Sequence, residues 1–544
     1  MKKIFSILLL IISVSSQAQS LTGQDKRALK RIKQAVNFLA DDKLQGRRTG
    51  TDGEKMAYDF ISNEFRGIGL LPKGTESNSY LQPFDVNEGK QFSENTHFYI
   101  DEVELARNND YFPLPWSANT SGINARLTRN EPGQIWVIDL KDTLAAAQTN
   151  PHFDIASFIY SNAGQAAANG AAALVYLNTG DRQDDIKFDA KDKTTPLNIP
   201  VIYLKDKEFF NKVDVQGGKQ LVRISVEMKE KVSTGHNVVG YIDNKATNTI
   251  IIGAHYDHLG YGQDHNSLYV GTEKMVHNGA DDNASGTAAL IELARYIKRS
   301  PLRSYNYLFI AFSGEELGLY GSKYFTKNPT IDLSKTNFMI NMDMVGRLNA
   351  EQTFTLGGFG TSPYWSEVTK DLSSQLKFKI DSSGTGPSDH TSFYRMDIPV
   401  LFFFTGTHGD YHKPSDDADK INYEGEVRIV NYIKEILIKS NYEPKIPFTK
   451  TREVSMGKST FKVSLGIMPD YTFSGSGVLV DGVSEGKAAQ KAGVQKGDVL
   501  LQLGGFTFTD VQSYMNALNK FDKGDTTKLK LSRNGQEMEV AVTF

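Results

Sequence analysis

A run of apolar and β-branched residues, Thr249 to Ile252, ends in Gly253-Ala254-His255-Tyr256-Asp257-His258. The next polar cluster, Gly279-Ala280-Asp281-Asp282-Asn283-Ala284-Ser285-Gly286, opens a segment in which Leu290, Leu293, Ala294 and Ile297 fall on one helical face. A buried strand followed by an amphipathic helix is the unit of an open α/β sheet, and ligands bind such sheets at the C-terminal ends of the strands. His255 and Asp257 stand two apart at such an end, so their side chains share a face. Asp281 and Asp282 stand at a helix start. Histidine and aspartate converging there are candidate metal ligands. Alone, the same residues serve equally as helix caps and as a hydrogen-bonded core pair, and the stretch leaves both readings open.

Composition narrows the choice. The 544 residues suggest three or four domains, the 39% hydrophobic content suffices for real cores, and the net charge of -3 gives no electrostatic footprint for nucleic acid. Of ten histidines, seven lie in 255–277 or 390–412, which favours sites over scatter. At the start, Lys2-Lys3, an apolar run from Ile4 to Val14 and Ser16-Gln17-Ala18 read as a secretory signal peptide over 1–18, cleaved after Ala18. No later segment predicts a membrane span, and there is no cysteine for disulfides or lipid attachment. The expected location is secreted or periplasmic, in a bacterial cell envelope.

Taken in order, 19–107 holds two predicted helices, Lys26–Leu39 and Gly53–Phe65, joined by a polar loop through Arg47. Residues 108–232 change texture, with predicted strands at Gln134–Asp139, Ala173–Leu177 and Ile199–Leu204, and an alanine-rich helix at Gln165–Ala172. No His, Asp and Glu cluster marks this insert, so it reads as non-catalytic. From 233 to 442 strands and helices alternate again, including a predicted helix at Glu316–Phe325. This predicts a mainly parallel mixed sheet sandwiched by helices. Residues 443–455 read as a linker, and 456–544 as a small β-rich domain with helices at Ala488–Ala492 and Val511–Leu518.

Three more stretches join the first. The strand Tyr307–Phe312 runs into Ser313-Gly314-Glu315-Glu316. Asn341-Met342-Asp343-Met344 buries a carboxylate in an apolar run, a cost that pairing or a metal would offset. Tyr411-His412 follows the predicted strand Ile398–Phe404. Two His, two single Asp and a Glu pair suit two divalent metals with one bridging carboxylate. The remaining Glu is then free to act as a general base.

These motifs resemble those of the secreted co-catalytic zinc aminopeptidases, the family that includes aminopeptidase Y and glutamate carboxypeptidase, over roughly 25–105 and 236–440. The resemblance implies two Zn2+ per chain, with other divalent metals as alternatives. It implies that His255 and Asp343 hold one ion, Glu316 and His412 the other, and that Asp282 bridges them. Glu315 is then the base toward a metal-bridged water, Asp257 orients His255, and Tyr411 donates to the oxyanion. Asp281 looks like a ligand by type, but the motif assigns the bridge to Asp282. Asp389-His390 is expected near the site in a supporting role, and His258, His265, His277 and His408 around its mouth. The insert resembles a protease-associated domain, α+β and β-rich, of the kind that sits beside such active sites as a lid or a substrate-shaping module. The tail resembles a PDZ domain, in which Ser464-Leu465-Gly466-Ile467 would bind peptide C-termini. The expected activity is release of N-terminal residues from peptides. The alternatives on the same fold are a carboxypeptidase, a glutaminyl cyclase and a non-catalytic receptor-like relative.

Overall fold

The structure is a computed structural model. It describes residues 21–146, 155–181, 184, 186–190, 192, 194–205, 220–264, 266–370, 372–373, 376–451, 463–469, 476–483, 486–508, 511–518 and 520–544. The expected leader (1–18) and His265 fall outside these. The chain forms two compact units, one made of residues up to Phe84 and from Thr234 onward, the other of Asp85–Ser233.

The first unit is built on a mixed sheet of β1 (Leu71–Pro72), β2 (Met228–Ile242), β3 (Thr249–His255), β4 (Asn306–Phe312), β5 (Thr336–Met342), β6 (Thr353–Gly357), β7 (Lys377–Ile380) and β8 (Val400–Phe404), in the order β1-β2-β4-β3-β5-β8-β6-β7. Strand β3 lies parallel to both β4 and β5, and β5 parallel to β8, while β2 and β6 enter antiparallel. Every residue of β3, β4 and β5 is buried. This is why those strands read as continuous apolar runs rather than alternating ones.

One face of the sheet packs on helices α1 (Gly23–Leu39), α2 (Asp52–Ile68), α3 (Gly286–Arg299) and α5 (Tyr423–Ser440); α4 (Tyr320–Lys327) packs on the other. Helix α1 opens with a capping box in which Thr22 and Asp25 satisfy each other's amides. The predicted stripe of α3 is fully buried, and each large apolar side chain there contributes roughly 2 kcal/mol.

The second unit has its own sheet, running from Val103–Glu104 through His97–Ile100, Leu221–Val226 and Thr120–Thr128 to Ile135–Asp139, Ala173–Leu177, Val201–Leu204 and Tyr111–Pro113. It starts at Asp85, not 108, because His97–Ile100 pairs antiparallel with Val222–Ser225. A break in composition does not reveal a pairing over that sequence distance. The alanine-rich helix spans Ile155–Ala168 rather than Gln165–Ala172. It stops where Ala171 N–H returns to the Ala166 carbonyl at 3.0 Å.

The strands Ile467–Pro469, Val478–Val483, Val499–Leu503, Thr526–Arg533 and Gln536–Thr543 form a separate sheet around its own core. Of the linker expected at 443–455, residues 452–455 lie outside the described residues. Ile446 N–H donates to Asn337 Oδ1 at 2.8 Å and Thr449 N–H to the Thr361 carbonyl at 2.7 Å, so the chain through Thr451 is packed on the first unit.

Candidate metal centre

Strand β3 delivers His255 at its last position, and β4 delivers Glu315 and Glu316 in the turn beyond its end. Strand β5 delivers Asp343, the turn before α3 delivers Asp282, and the loop after β8 delivers Tyr411 and His412. Because β3, β4, β5 and β8 are parallel neighbours, these ends lie side by side. The Glu315-Glu316 turn is held by the Asp257 carboxylate, which accepts from the Glu315 amide at 3.1 Å and the Glu316 amide at 3.4 Å. Gly314, at φ +69, supplies the left-handed step that starts it. This fixed turn delays α4 to Tyr320, so the helix predicted from Glu316 begins four residues later.

His255 Nε2 lies 3.4 Å from Asp282 Oδ1 and 3.2 Å from Asp343 Oδ1. His412 Nε2 lies 3.3 Å from Asp282 Oδ2 and 3.2 Å from Glu316 Oε2. Four ligands about 2.0 Å from a tetrahedral zinc stand about 3.3 Å apart, so these separations are those of ligands around an ion. Asp282 places one oxygen in each cluster. Asp281 is in neither: its Oδ1 accepts from the Gly346 amide at 2.7 Å and the Ser285 hydroxyl at 3.0 Å, and its Oδ2 faces His408 at 3.2 Å.

Among the described residues, groups within 4.8 Å of one another that could hold an ion are His255, Asp282 and Asp343, and His258, Asp282 and Glu316. His255 Nε2 is buried with no hydrogen-bond partner. A bare imidazole nitrogen aimed at two carboxylates fits a cation between them.

The outer nitrogens are also held. His412 Nδ1 donates to the Asn266 carbonyl at 2.8 Å. His255 Nδ1 lies 3.3 Å from the Asp257 main-chain carbonyl and 3.7 Å from its carboxylate. The Asp257 side chain, expected to orient His255, is therefore spent chiefly on the Glu315-Glu316 turn, and its backbone takes the nearer position at the ring.

The electrostatics are those of a cation site. Burial pushes both imidazoles down, but Asp343 and Glu315 beside His255, and Glu316 and Asp282 beside His412, outweigh it and raise both well above the usual range. Burial pushes Asp282 up, yet His255 and His412 hold it well below the usual carboxylate range. Glu316 is likewise held at about 2, against burial, chiefly by His412. Glu315 is raised well above its usual range by burial and by the charges of Glu316, Asp343 and Asp389, with His255 opposing. The Tyr411 phenol is raised by burial and then by Asp282, Glu316, Glu315 and Asp343, and its ring stacks on His412 at 3.9 Å.

Two histidines differ from their expected places. His258 and His277 are buried rather than at the mouth. His277 Nε2 pairs with Ser267 at 2.7 Å. Asp389 and His390 are buried too, and His390 stacks on Phe402 at 4.4 Å.

Arg47, read as part of a polar loop, is fully buried. It donates to the carbonyls of Tyr256 (2.8 Å), Asn278 (2.6 Å), Gly279 (3.0 Å) and Leu39. It thereby ties the loop after β3 to the loop before α3. Burial lowers its guanidinium to about 10, against the nearby charges of Asp257 and Asp282, and it remains cationic at neutral pH. Asp416 Oδ2 accepts from the amides of Asp281 (2.9 Å) and Asp282 (3.1 Å), fixing the turn that carries the shared carboxylate. Neither role was legible: Arg47 lies in a polar loop and Asp416 in an acidic run, and neither stretch shows the distant backbone groups they bind.

In the C-terminal sheet, Ser464 Oγ accepts from the Gly466 amide at 3.0 Å, and buried Leu465 accepts from Ala489 N–H at 2.7 Å. Ile467 begins the edge strand, paired with Val483.

Mixed α/β architecture with carboxylates and imidazoles gathered at parallel strand ends is that of a zinc peptidase fold. Residues 237–437 match peptidase family M28, and residues 451–544 match the PDZ domain. It is similar to aminopeptidase YwaD of Bacillus subtilis, 26% identical over 279 residues, covering 49% of this chain and 56% of that protein. It is also similar to leupeptin-inactivating enzyme 1 of Streptomyces exfoliatus, 30% identical over 193 residues, covering 35% and 39%. The chain thus spans about half the length of these relatives or less. A solved zinc aminopeptidase from Bacillus subtilis aligns at 20% identity and a TM-score of 0.43, covering 80% of this chain and 98% of that one.

Proposed function

We propose that the chain is an exported two-zinc aminopeptidase that hydrolyses N-terminal residues from peptides. The observation that carries this reading is the splitting of Asp282 between two clusters, Oδ1 toward His255 and Asp343, Oδ2 toward His412 and Glu316. Two zinc ions held there would supply Lewis-acid polarisation of a carbonyl and a water of lowered pKa. Aminopeptidase rather than carboxypeptidase specificity is supported by the name of the relative YwaD. Export is supported by the leader alone.

The chain's own groups divide the remaining work. Glu315 belongs to neither cluster and is the free carboxylate that takes a proton from the attacking water and passes it to the leaving amine. Its raised pKa comes in part from Glu316 and Asp343. With cations held there by His255, Asp282, Asp343, Glu316 and His412, that repulsion would be offset and Glu315 would favour its basic form. The Tyr411 hydroxyl, kept protonated by burial and by the surrounding carboxylates, donates to the developing oxyanion. The unit Asp85–Ser233 is on this reading a protease-associated module, and the Ser464–Ile467 loop binds peptide C-termini.

The test is a substrate panel assayed before and after chelation: an aminoacyl anilide, its N-acetylated form, a C-terminal substrate and an N-terminal glutamine peptide. The proposal expects hydrolysis of the free-amine substrate alone, lost on chelation and restored by zinc. Cleavage of the blocked or C-terminal substrate, or glutamine cyclisation without hydrolysis, would replace it.

A further inference from the structure

Among the described residues, His258 is the buried imidazole at this cluster that the assigned ligand set does not use. Its side chain has no exposed surface, and Nδ1 lies 2.7 Å from Glu316 Oε1. A carboxylate accepts, so Nδ1–H donates. The other oxygen of the same carboxylate, Oε2, stands 3.2 Å from His412 Nε2. The two spacings belong to two kinds of contact. Ligands on one tetrahedral zinc stand about 3.3 Å apart, and 2.7 Å is the length of a charge-assisted hydrogen bond. From the remaining carboxylate of that cluster, Asp282 Oδ2, His258 Nδ1 is 4.0 Å away.

The ring is held in this pose from two sides. A Cβ at Gly279 would fall 2.4 Å from its Cδ2 and 2.5 Å from its Cγ, so the imidazole lies against bare backbone. Its own amide points to the Arg47 carbonyl at 3.4 Å. Its Nε2 is buried with no hydrogen-bond partner among the described residues, which leaves Nδ1 as the working atom.

We propose that His258 is a positioning residue: it occupies Oε1 of Glu316 and so confines that side chain to one ligating oxygen, keeping a coordination position open for substrate. The inference rests on the metal-binding reading of the cluster. Without His258, Oε1 is released, Glu316 binds through both oxygens, and the ion gains a ligand at the expense of its open position.

The test uses the full chain loaded with cobalt in place of zinc, because four-coordinate cobalt absorbs visible light several-fold more strongly than higher-coordinate cobalt. His258→Asn and His258→Gln form the decisive pair. The asparagine amide nitrogen reproduces Nδ1, whereas glutamine places its own one bond further out. The expected result is two cobalt ions in wild type and both variants, with a wild-type spectrum in His258→Asn. In His258→Gln the absorption should fall by about a third or more, with a lower kcat and a KM changed less. Gln matching wild type, Asn matching Gln, or either variant losing one ion, which would make His258 a ligand, overturns the proposal. Wild type failing to take up two ions overturns the metal reading itself and is seen before any variant is compared.

Discussion

Glu315 and Glu316 are neighbours in sequence with opposite electrostatic fates. Glu316 is held at about 2 against burial, chiefly by His412, whereas burial and the charges of Glu316, Asp343 and Asp389 raise Glu315 against His255. Environments that separate the pKa values of adjacent acids mark a division between ligand and base. Glu315→Gln is therefore expected to retain metal while turnover falls about 10²–10⁴-fold. Steady-state kinetics beside a metal assay checks this, and near-normal turnover in a metal-replete variant would remove Glu315 from the mechanism. Asp282→Asn should lose metal from both clusters, whereas Asp281→Asn, which holds Gly346 and Ser285, should keep it and lose stability instead. Equal metal loss in the two variants would contradict the geometry.

At the scale of elements, the site depends on how loops are tied at the strand ends. Arg47→Met leaves four buried carbonyls without their donor and should cost at least about 3 kcal/mol in denaturant unfolding, with weaker zinc binding. Glu54, at the base of the same region, is pushed up to about 7 by burial, against hydrogen bonds from Ser313 and the backbone of Gly50 and His236. Between the unfolded value of 4.5 and this folded value the native state holds a proton that the unfolded chain has released. Stability from this group therefore falls as pH rises through that window, by on the order of 3 kcal/mol. Measured from pH 4.5 to 8, wild type should lose stability relative to Glu54→Gln, and parallel curves would show that Glu54 titrates normally.

The strands carrying His255, Glu315 and Asp343 were readable because each is an apolar run closed by a polar residue. The distinct chemistry of the ligands did the rest. The braces were not readable: Arg47, Glu54 and Asp416 act through backbone groups far away in sequence, and local polarity looks the same in a solvated loop. The start of α4 was misjudged for the same reason, since the Asp257 carboxylate that delays it lies 58 residues from Glu315.

At the scale of the whole molecule, the C-terminal sheet has its own buried core, and the chain through Thr451 packs on the first unit. Removing the residues after Thr451 is expected to leave hydrolysis of a small aminoacyl substrate nearly unchanged. Longer peptides with a free C-terminus should be cleaved more slowly as tethering is lost. Loss of activity on the small substrate would make the tail a structural part of the peptidase.

The most direct measurement of the central claim is a zinc titration of the metal-free full chain, with bound metal and aminoacyl hydrolysis followed together. Two carboxylate–imidazole clusters sharing Asp282 predict two ions per chain, with full activity reached only as the second binds. Saturation of activity and binding at one ion, or two ions bound without hydrolysis, would contradict it.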